Sequence, residues 1–124
     1  MTGPPTAPAA PTPVGYDGRR FRSVEARPGE TAAEKPVGHY HQDGDLVWAE
    51  FSGAAVRAGR LVGSCSPDGV IHAAYCMLTT GGEAVAGACV STPTLLPDGR
   101  VRLTEHWRRL DGSSGVSQIE EIAE

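Results

Sequence analysis

Apolar and polar positions along this chain fall into short β-rich runs, punctuated from Tyr16 onward by regular turn signals. Asp43-Gly44, Ser52-Gly53, Pro67-Asp68-Gly69, Gly81-Gly82, Pro97-Asp98-Gly99 and Asp111-Gly112 recur about every 9–16 residues. That is the spacing of tight connections between neighbouring antiparallel strands. The runs between them predict strands at about 18–25, 37–42, 45–52, 55–65, 70–79, 83–93, 100–109 and 115–122. No segment pairs a helix cap with a 3.6-residue apolar stripe, so no long helix is predicted. Eight consecutive antiparallel strands leave two open edges unless the sheet closes on itself. The expected fold is therefore all-β, an eight-stranded antiparallel up-and-down β-barrel, with room inside for packed side chains or one small ligand.

Turn geometry then assigns the two faces. A two-residue turn at Asp43-Gly44 sets His39 opposite Trp48. A second turn at Gly53-Ala54 sets Glu50 opposite Arg57 and Leu46 opposite Leu61, and a three-residue Pro67-Asp68-Gly69 loop sets Leu61 opposite Tyr75. On this threading His39, His41, Leu46, Trp48, Glu50, Arg57, Leu61, Tyr75 and Met77 share one face, which reads as a partly polar pocket lining. Tyr40, Val47, Phe51, Val56, Arg60, Val62 and Cys76 share the other, apolar enough for a subunit interface and hence a homodimer. A slip of one residue swaps every face downstream. In strand seven, a plain turn at Pro97-Asp98-Gly99 points Glu105 outward and a single bulge points it inward. An inward Glu105 is preferred, because the alternative leaves Leu103 and Trp107 as an apolar stripe on the outside.

Composition narrows the picture. The chain has 124 residues, and five of its ten prolines lie within the first thirteen. Residues 1–14, with almost no large apolar groups, cannot offset their ordering entropy and are expected to form a disordered tail. Residues 15–124 then make one domain, too short for a dinucleotide-binding fold or an eight-fold α/β barrel. A net charge of −4 with no basic stripe argues against nucleic acid as a partner. No apolar run approaches the roughly twenty residues that span a bilayer, and Met1 leads into Thr, Gly and Pro with no signal-peptide pattern, so neither membrane nor export is expected. Cys65, Cys76 and Cys89 are odd in number and lack CxxC spacing, which favours reduced thiols in a cytoplasmic protein.

Several side chains carry candidate chemistry. His39-x-His41 places two imidazoles on one strand face, about 6.5–7 Å apart by strand rise. Such a pair can move protons, line a rim, or contribute to a metal site that Glu50 or Glu105 would complete. Proton transfer or binding is the preferred role, and no metal or other cofactor is expected. Glu50 opposite Arg57 is either an ion pair that positions a carbonyl or anionic group, or an ordinary cross-strand pair worth about 0.2–1 kcal/mol. Glu105 between Leu103 and Trp107 is the stronger acid/base candidate, since burial among apolar groups favours a protonated carboxyl. The alternative for Glu105 is a carboxylate salt-bridged to an arginine. Trp48, Tyr75 and Trp107 can stack on a planar ligand or serve as plain core. No Ser or Cys stands in an arrangement that would make it a nucleophile.

Several runs carry a family resemblance. They include Tyr16-Asp17-Gly18-Arg19, His39-Tyr40-His41-Gln42, Val47-Trp48-Ala49, Phe51-Ser52-Gly53, Gly59-Arg60-Leu61-Val62-Gly63 and Cys89-Val90-Ser91-Thr92-Pro93. Asp98-Gly99-Arg100-Val101-Arg102-Leu103, Glu105, Trp107 and Ile119-Glu120-Glu121-Ile122 complete the set. Over about residues 16–122 the chain resembles a family of small bacterial proteins with avidin-like or calycin-like barrels, and the resemblance implies the same eight-stranded fold. Members often carry the label N-acetylglutamate synthase. An acetyl-CoA site needs an R/Q-x-x-G-x-G/A loop opening a helix; the nearest run here, Arg60 to Cys65, ends in Cys within a strand pattern. Two positions depart from the family: Cys76-Met77 stands where a Gln-His pair is usual, and Arg109 follows Trp107 where a second Trp is usual. With Ala73, Ala74, Ala84, Ala86 and Ala88 nearby, the departures imply a wider, more apolar pocket. The expected function is a cofactor-free isomerase or cyclase acting on an apolar, polyketide-like carbonyl metabolite in secondary-metabolite biosynthesis. His39 or His41 and Glu105 would move protons, while Trp48, Glu50, Arg57, Tyr75, Met77 and Trp107 hold the substrate. A non-catalytic carrier of such a molecule is the alternative.

Overall fold

A computed structural model describes residues 15–24 and 35–123. The expected tail, residues 1–14, lies outside them, as does residue 25, the last of the expected first strand. Eight strands follow in chain order: β1 Arg20–Ser23, β2 Val37–Asp43, β3 Leu46–Gly53, β4 Val56–Cys65, β5 Ile71–Thr79, β6 Ala84–Leu95, β7 Val101–Arg109 and β8 Ser114–Glu121. Each pairs antiparallel with the next, and β1 pairs with β8 through Phe21↔Glu121 and Ser23↔Ile119, so the sheet closes into a barrel. Among the described residues no helix is long and apolar enough to cross a membrane.

One local device builds four of the hairpins. Gly69, Gly82, Gly99 and Gly112 all have φ between 86° and 92°. Each amide donates to the carbonyl three residues back, on Ser66, Thr79, Leu96 and Arg109 respectively, at 2.9–3.0 Å. This is a three-residue loop whose last residue is left-handed, a conformation glycine adopts without steric cost. The β2–β3 connection is tighter: Asp43 pairs with Leu46, leaving Gly44-Asp45 as the turn, one residue beyond the expected position.

The β3–β4 hairpin decides the faces. Its turn is Ala54-Ala55, since Gly53 pairs with Val56, and the register shifts between Phe51 and Gly53. Glu50 therefore lies opposite Arg60 rather than Arg57, and Trp48 opposite Val62. The slip exchanges faces between β3 and β4. Tyr40, Val47 and Ala49 are 4%, 0% and 1% exposed and point inward, so the alternating His39, His41, Leu46, Trp48 and Glu50 point outward. The expected pocket face is thus corrected for β2 and β3. Leu61, Tyr75 and Met77 face inward as threaded, with Leu61 opposite Tyr75. Arg57 is exposed and is the extra residue on β4 behind that shift, which reappears against β5 between Val56 and Ala58. Of the expected outer face, Tyr40, Val47, Phe51 and Val56 belong to the interior; Arg60, Val62 and Cys76 remain outside. Glu105 faces inward without a bulge, because the β6–β7 register runs unbroken from Gly87↔Arg109 to Leu95↔Val101.

The core fills one end of the barrel. Tyr16 is fully buried there beside Phe21 and Tyr40, with ring centroids 6.5 and 6.3 Å away. Its hydroxyl donates to the Gly69 carbonyl at 2.5 Å, and its amide donates to Gln42 Oε1 at 2.9 Å. Arg19 ties the same segment to β8 through Glu121 at 2.7 Å. Residues 15–19 thus stopper this end, where Ile71, Val101 and Leu103 are also fully buried.

Candidate functional site

Away from the Tyr16 stopper the interior is not filled. A cavity of about 360 Å³ lies within the barrel towards the β3–β4, β5–β6 and β7–β8 turns. Its walls follow from the inward positions of each strand: Gly38 and Tyr40 on β2, Phe51 on β3, Leu61 on β4, Tyr75 and Met77 on β5, Cys89 on β6, Glu105, Trp107 and Arg109 on β7, and Ser117 and Ile119 on β8.

Three aromatic rings shape this space, each lying over a glycine on the neighbouring strand. Phe51 pairs with Gly59, Tyr75 with Gly87 and Trp107 with Gly115. A Cβ on Gly59 would come 2.2 Å from Phe51 Cε2, one on Gly87 2.8 Å from the Tyr75 hydroxyl, and one on Gly115 2.5 Å from Trp107 Cζ2. The missing side chains let the rings lie along the wall instead of across the lumen. Trp107 is further fixed by Nε1 donating to Ser117 Oγ at 2.9 Å, and the Arg109 guanidinium carbon sits 5.1 Å from the Trp107 ring centroid.

Glu105 stands midway along β7, opposite Ser91 on one side and Ser117 on the other. Its charge acts on its neighbours: burial first, and then Glu105, pushes the Cys89 thiol from 9.0 to about 11. The same two causes raise the Tyr40 phenol well above its ordinary range. Tyr40 and Cys89 are therefore neutral at pH 7, and Cys89 is no nucleophile. The interior accordingly combines an aromatic and aliphatic wall, one carboxyl group at mid-depth, a protonated phenol and a guanidinium on the outer strand end.

The structure separates the expected site residues into two groups. Glu105, Tyr75, Met77 and Trp107 line the cavity. His39, His41, Trp48 and Glu50 meet on the outer wall of the β2–β3 hairpin instead. There His39 lies opposite Glu50 and His41 opposite Trp48. His41 Nε2 is 2.8 Å from Glu50 Oε1, its ring stacks on Trp48 at 5.3 Å and 22°, and the two imidazole centroids are 4.7 Å apart. Arg57 joins neither group. Phe51, Tyr40, Cys89, Arg109 and Ser117 are cavity residues that the sequence threading did not place there. The signal for the rings was present in the glycines, since an inward Gly opposite an aromatic marks a wall position.

A family model described as avidin-like protein matches residues 14–122 of this chain. Searches of curated proteins and of solved structures give no match.

Proposed function

The chain belongs to the avidin-like protein family, and from that premise we propose that its barrel binds a small, mostly apolar ligand carrying one polar group. The observation that carries this reading is the half-filled interior: Tyr16 stoppers one end while about 360 Å³ stays open towards the other. That volume lies at the small end of the range for ligand pockets, which are mostly apolar with a few placed polar groups. Phe51, Tyr75 and Trp107 would grip a planar body, and Glu105 would accept a hydrogen bond from the ligand's polar end. The free thiols Cys65, Cys76 and Cys89 suit a reducing, cytoplasmic setting.

The finer expectation, an isomerase or cyclase acting on a carbonyl metabolite, rests on Glu105 as proton carrier, with the Tyr40 phenol as a neighbour that burial and the charge of Glu105 keep protonated. His39 and His41 lie across the barrel wall from the cavity and take no part in it. With one carboxyl left of three expected proton-moving groups, binding is the better-supported role and catalysis the second.

The dye 8-anilinonaphthalene-1-sulfonate tests the first reading. It should bind the folded chain once, and Met77→Trp, which fills the cavity from β5, should abolish that binding while the fold persists by circular dichroism. Dye binding unchanged in Met77→Trp would sink the proposal. For compounds that displace the dye, turnover lost in Glu105→Gln with displacement retained favours the enzyme; displacement without turnover in the unaltered chain favours the binder.

A further inference from the structure

We propose that His39, His41 and Glu50 form a site for a divalent cation of the zinc class on the outer wall of the barrel. Each offers one ligand atom, and the three atoms lie within 4.8 Å of one another. Three atoms no further apart than 4.8 Å have a point within about 2.8 Å of all of them, the largest separation divided by √3. Zinc bonds to imidazole nitrogen and carboxylate oxygen run at about 2.0–2.2 Å. Rotations of three side chains on a fixed hairpin close a gap of that size.

The backbone supplies the rigidity. His39 and His41 occupy alternate positions of β2, and Glu50 stands directly opposite His39 on β3 in an unbroken ladder. The imidazole of His41 is held flat against Trp48. The ring nitrogen that faces Glu50 at 2.8 Å marks where the ion enters, because a cation between them replaces the proton of that contact and keeps both partners as ligands. Two imidazoles and one carboxylate are the donor set of an open zinc site, which leaves a further position for water. Imidazole ligands disfavour the hard oxygen-seeking cations calcium and magnesium. Arg60 lies opposite Glu50 on β4 and Arg20 opposite His39 on β1, and both oppose a cation. Arg60 donates to the Gly59 carbonyl at 2.8 Å, and Glu50 pairs with His41 instead. The site is on the opposite side of the wall from the cavity, so it stands or falls independently of the ligand-binding reading.

Calorimetric titration of the full chain with zinc chloride, in a non-chelating buffer, tests the site. One ion per chain should bind with micromolar affinity and raise the unfolding temperature. His39→Ala, His41→Ala and Glu50→Gln should each weaken binding at least about tenfold, while a His72→Ala/His106→Ala double variant, altered at the other two histidines, should bind as before. Cobalt should also quench Trp48 in a Trp107→Phe background, and His39→Ala should remove the quenching; the exposed His39 can be truncated without disturbing the core. Zinc binding weaker than millimolar, or affinity unchanged in both His39→Ala and Glu50→Gln, overturns the proposal.

Discussion

Alanine at Gly59 and at Gly63 should destabilise this barrel for different reasons, and the difference is measurable. Both glycines sit on β4 facing the lumen. A Cβ at Gly59 meets the Phe51 ring first, its three nearest atoms at 2.2, 2.4 and 2.6 Å. Ordinary carbon contact begins near 3.5 Å, so the ring must move by about 1.3 Å. Phe51 borders the cavity and can swing into it, which keeps the cost in the overpacking range of about 1–3 kcal/mol. At Gly63 the new Cβ meets the His72 carbonyl oxygen at 2.3 Å and Ala73 Cα at 2.7 Å. Those are backbone atoms of β5, held by the β4–β5 ladder on both sides of the contact. No side chain can yield, and the strands must part; the loss should exceed about 3 kcal/mol. Phe51→Ala then separates the two cases. In that background Gly59→Ala should cost nothing or add up to about 1 kcal/mol by stiffening the unfolded chain, whereas Gly63→Ala should keep its full cost. Urea unfolding followed by tryptophan fluorescence gives the cycle. Equal costs for Gly59→Ala with and without Phe51, or a milder effect at Gly63 than at Gly59, would refute the picture of rings laid over glycines. The same swing of Phe51 should also reduce dye binding in Gly59→Ala, linking wall packing to cavity volume.

Three further outcomes are expected. Tyr16→Phe removes the hydroxyl that donates to the Gly69 carbonyl and should cost about 1–3 kcal/mol, while Tyr16→Ala opens the stoppered end and should cost about 3–5 kcal/mol by thermal unfolding. Stability should fall as pH rises from 9 through 11: folded Cys89 holds its proton to about pH 11 and the unfolded thiol only to 9.0, so the contribution is complete below pH 9 and is lost above it. Cys89→Ala should make the fall between pH 9 and 10 shallower, while the raised phenols of Tyr16 and Tyr40 keep their own loss above pH 10. Trp107→Phe strands Ser117 Oγ and ends the contact with Arg109, and should cost about 1–2 kcal/mol in urea unfolding together with weaker dye binding.

The architecture was legible because turn chemistry is local. The three-residue loops at Pro67-Asp68-Gly69 and Pro97-Asp98-Gly99 demand a left-handed residue, and glycine at their last position announces it, so strand number, order and bounds could be read within a residue or two. Closure followed from the cost of open edges. The β3–β4 turn gave no such announcement. Ala54 occupies its left-handed position at φ 51°, and Gly53, the apparent turn residue, instead ends the strand at φ 125°. Nothing in the residues Phe51 to Ala58 distinguishes a plain turn from one followed by a bulge.

That single ambiguity governed the site. Side chains alternate with period two, so one extra residue on β4, Arg57, lying between the pairs Gly53↔Val56 and Phe51↔Gly59, leaves the rest of β4 and β5 correctly faced while turning β2 and β3 inside out. The consequence is chemical. The two histidines, expected to move protons, and Glu50, expected to hold substrate, became an outer cluster, and Tyr40 and Phe51, expected on an interface, became cavity wall. Burial could have arbitrated: an inward β3 made of Leu46, Trp48 and Glu50 strands a carboxylate inside, whereas one made of Val47, Ala49 and Phe51 strands nothing. Applied to β2, the same test sends two imidazoles outward and one phenol inward. The polar-residue pattern that suggested catalysis was therefore the better evidence for the outside of the barrel. Glu105 is the exception: it is only half-buried, and its strand partners Ser91 and Ser117, together with Tyr40, put polar groups beside its carboxyl group.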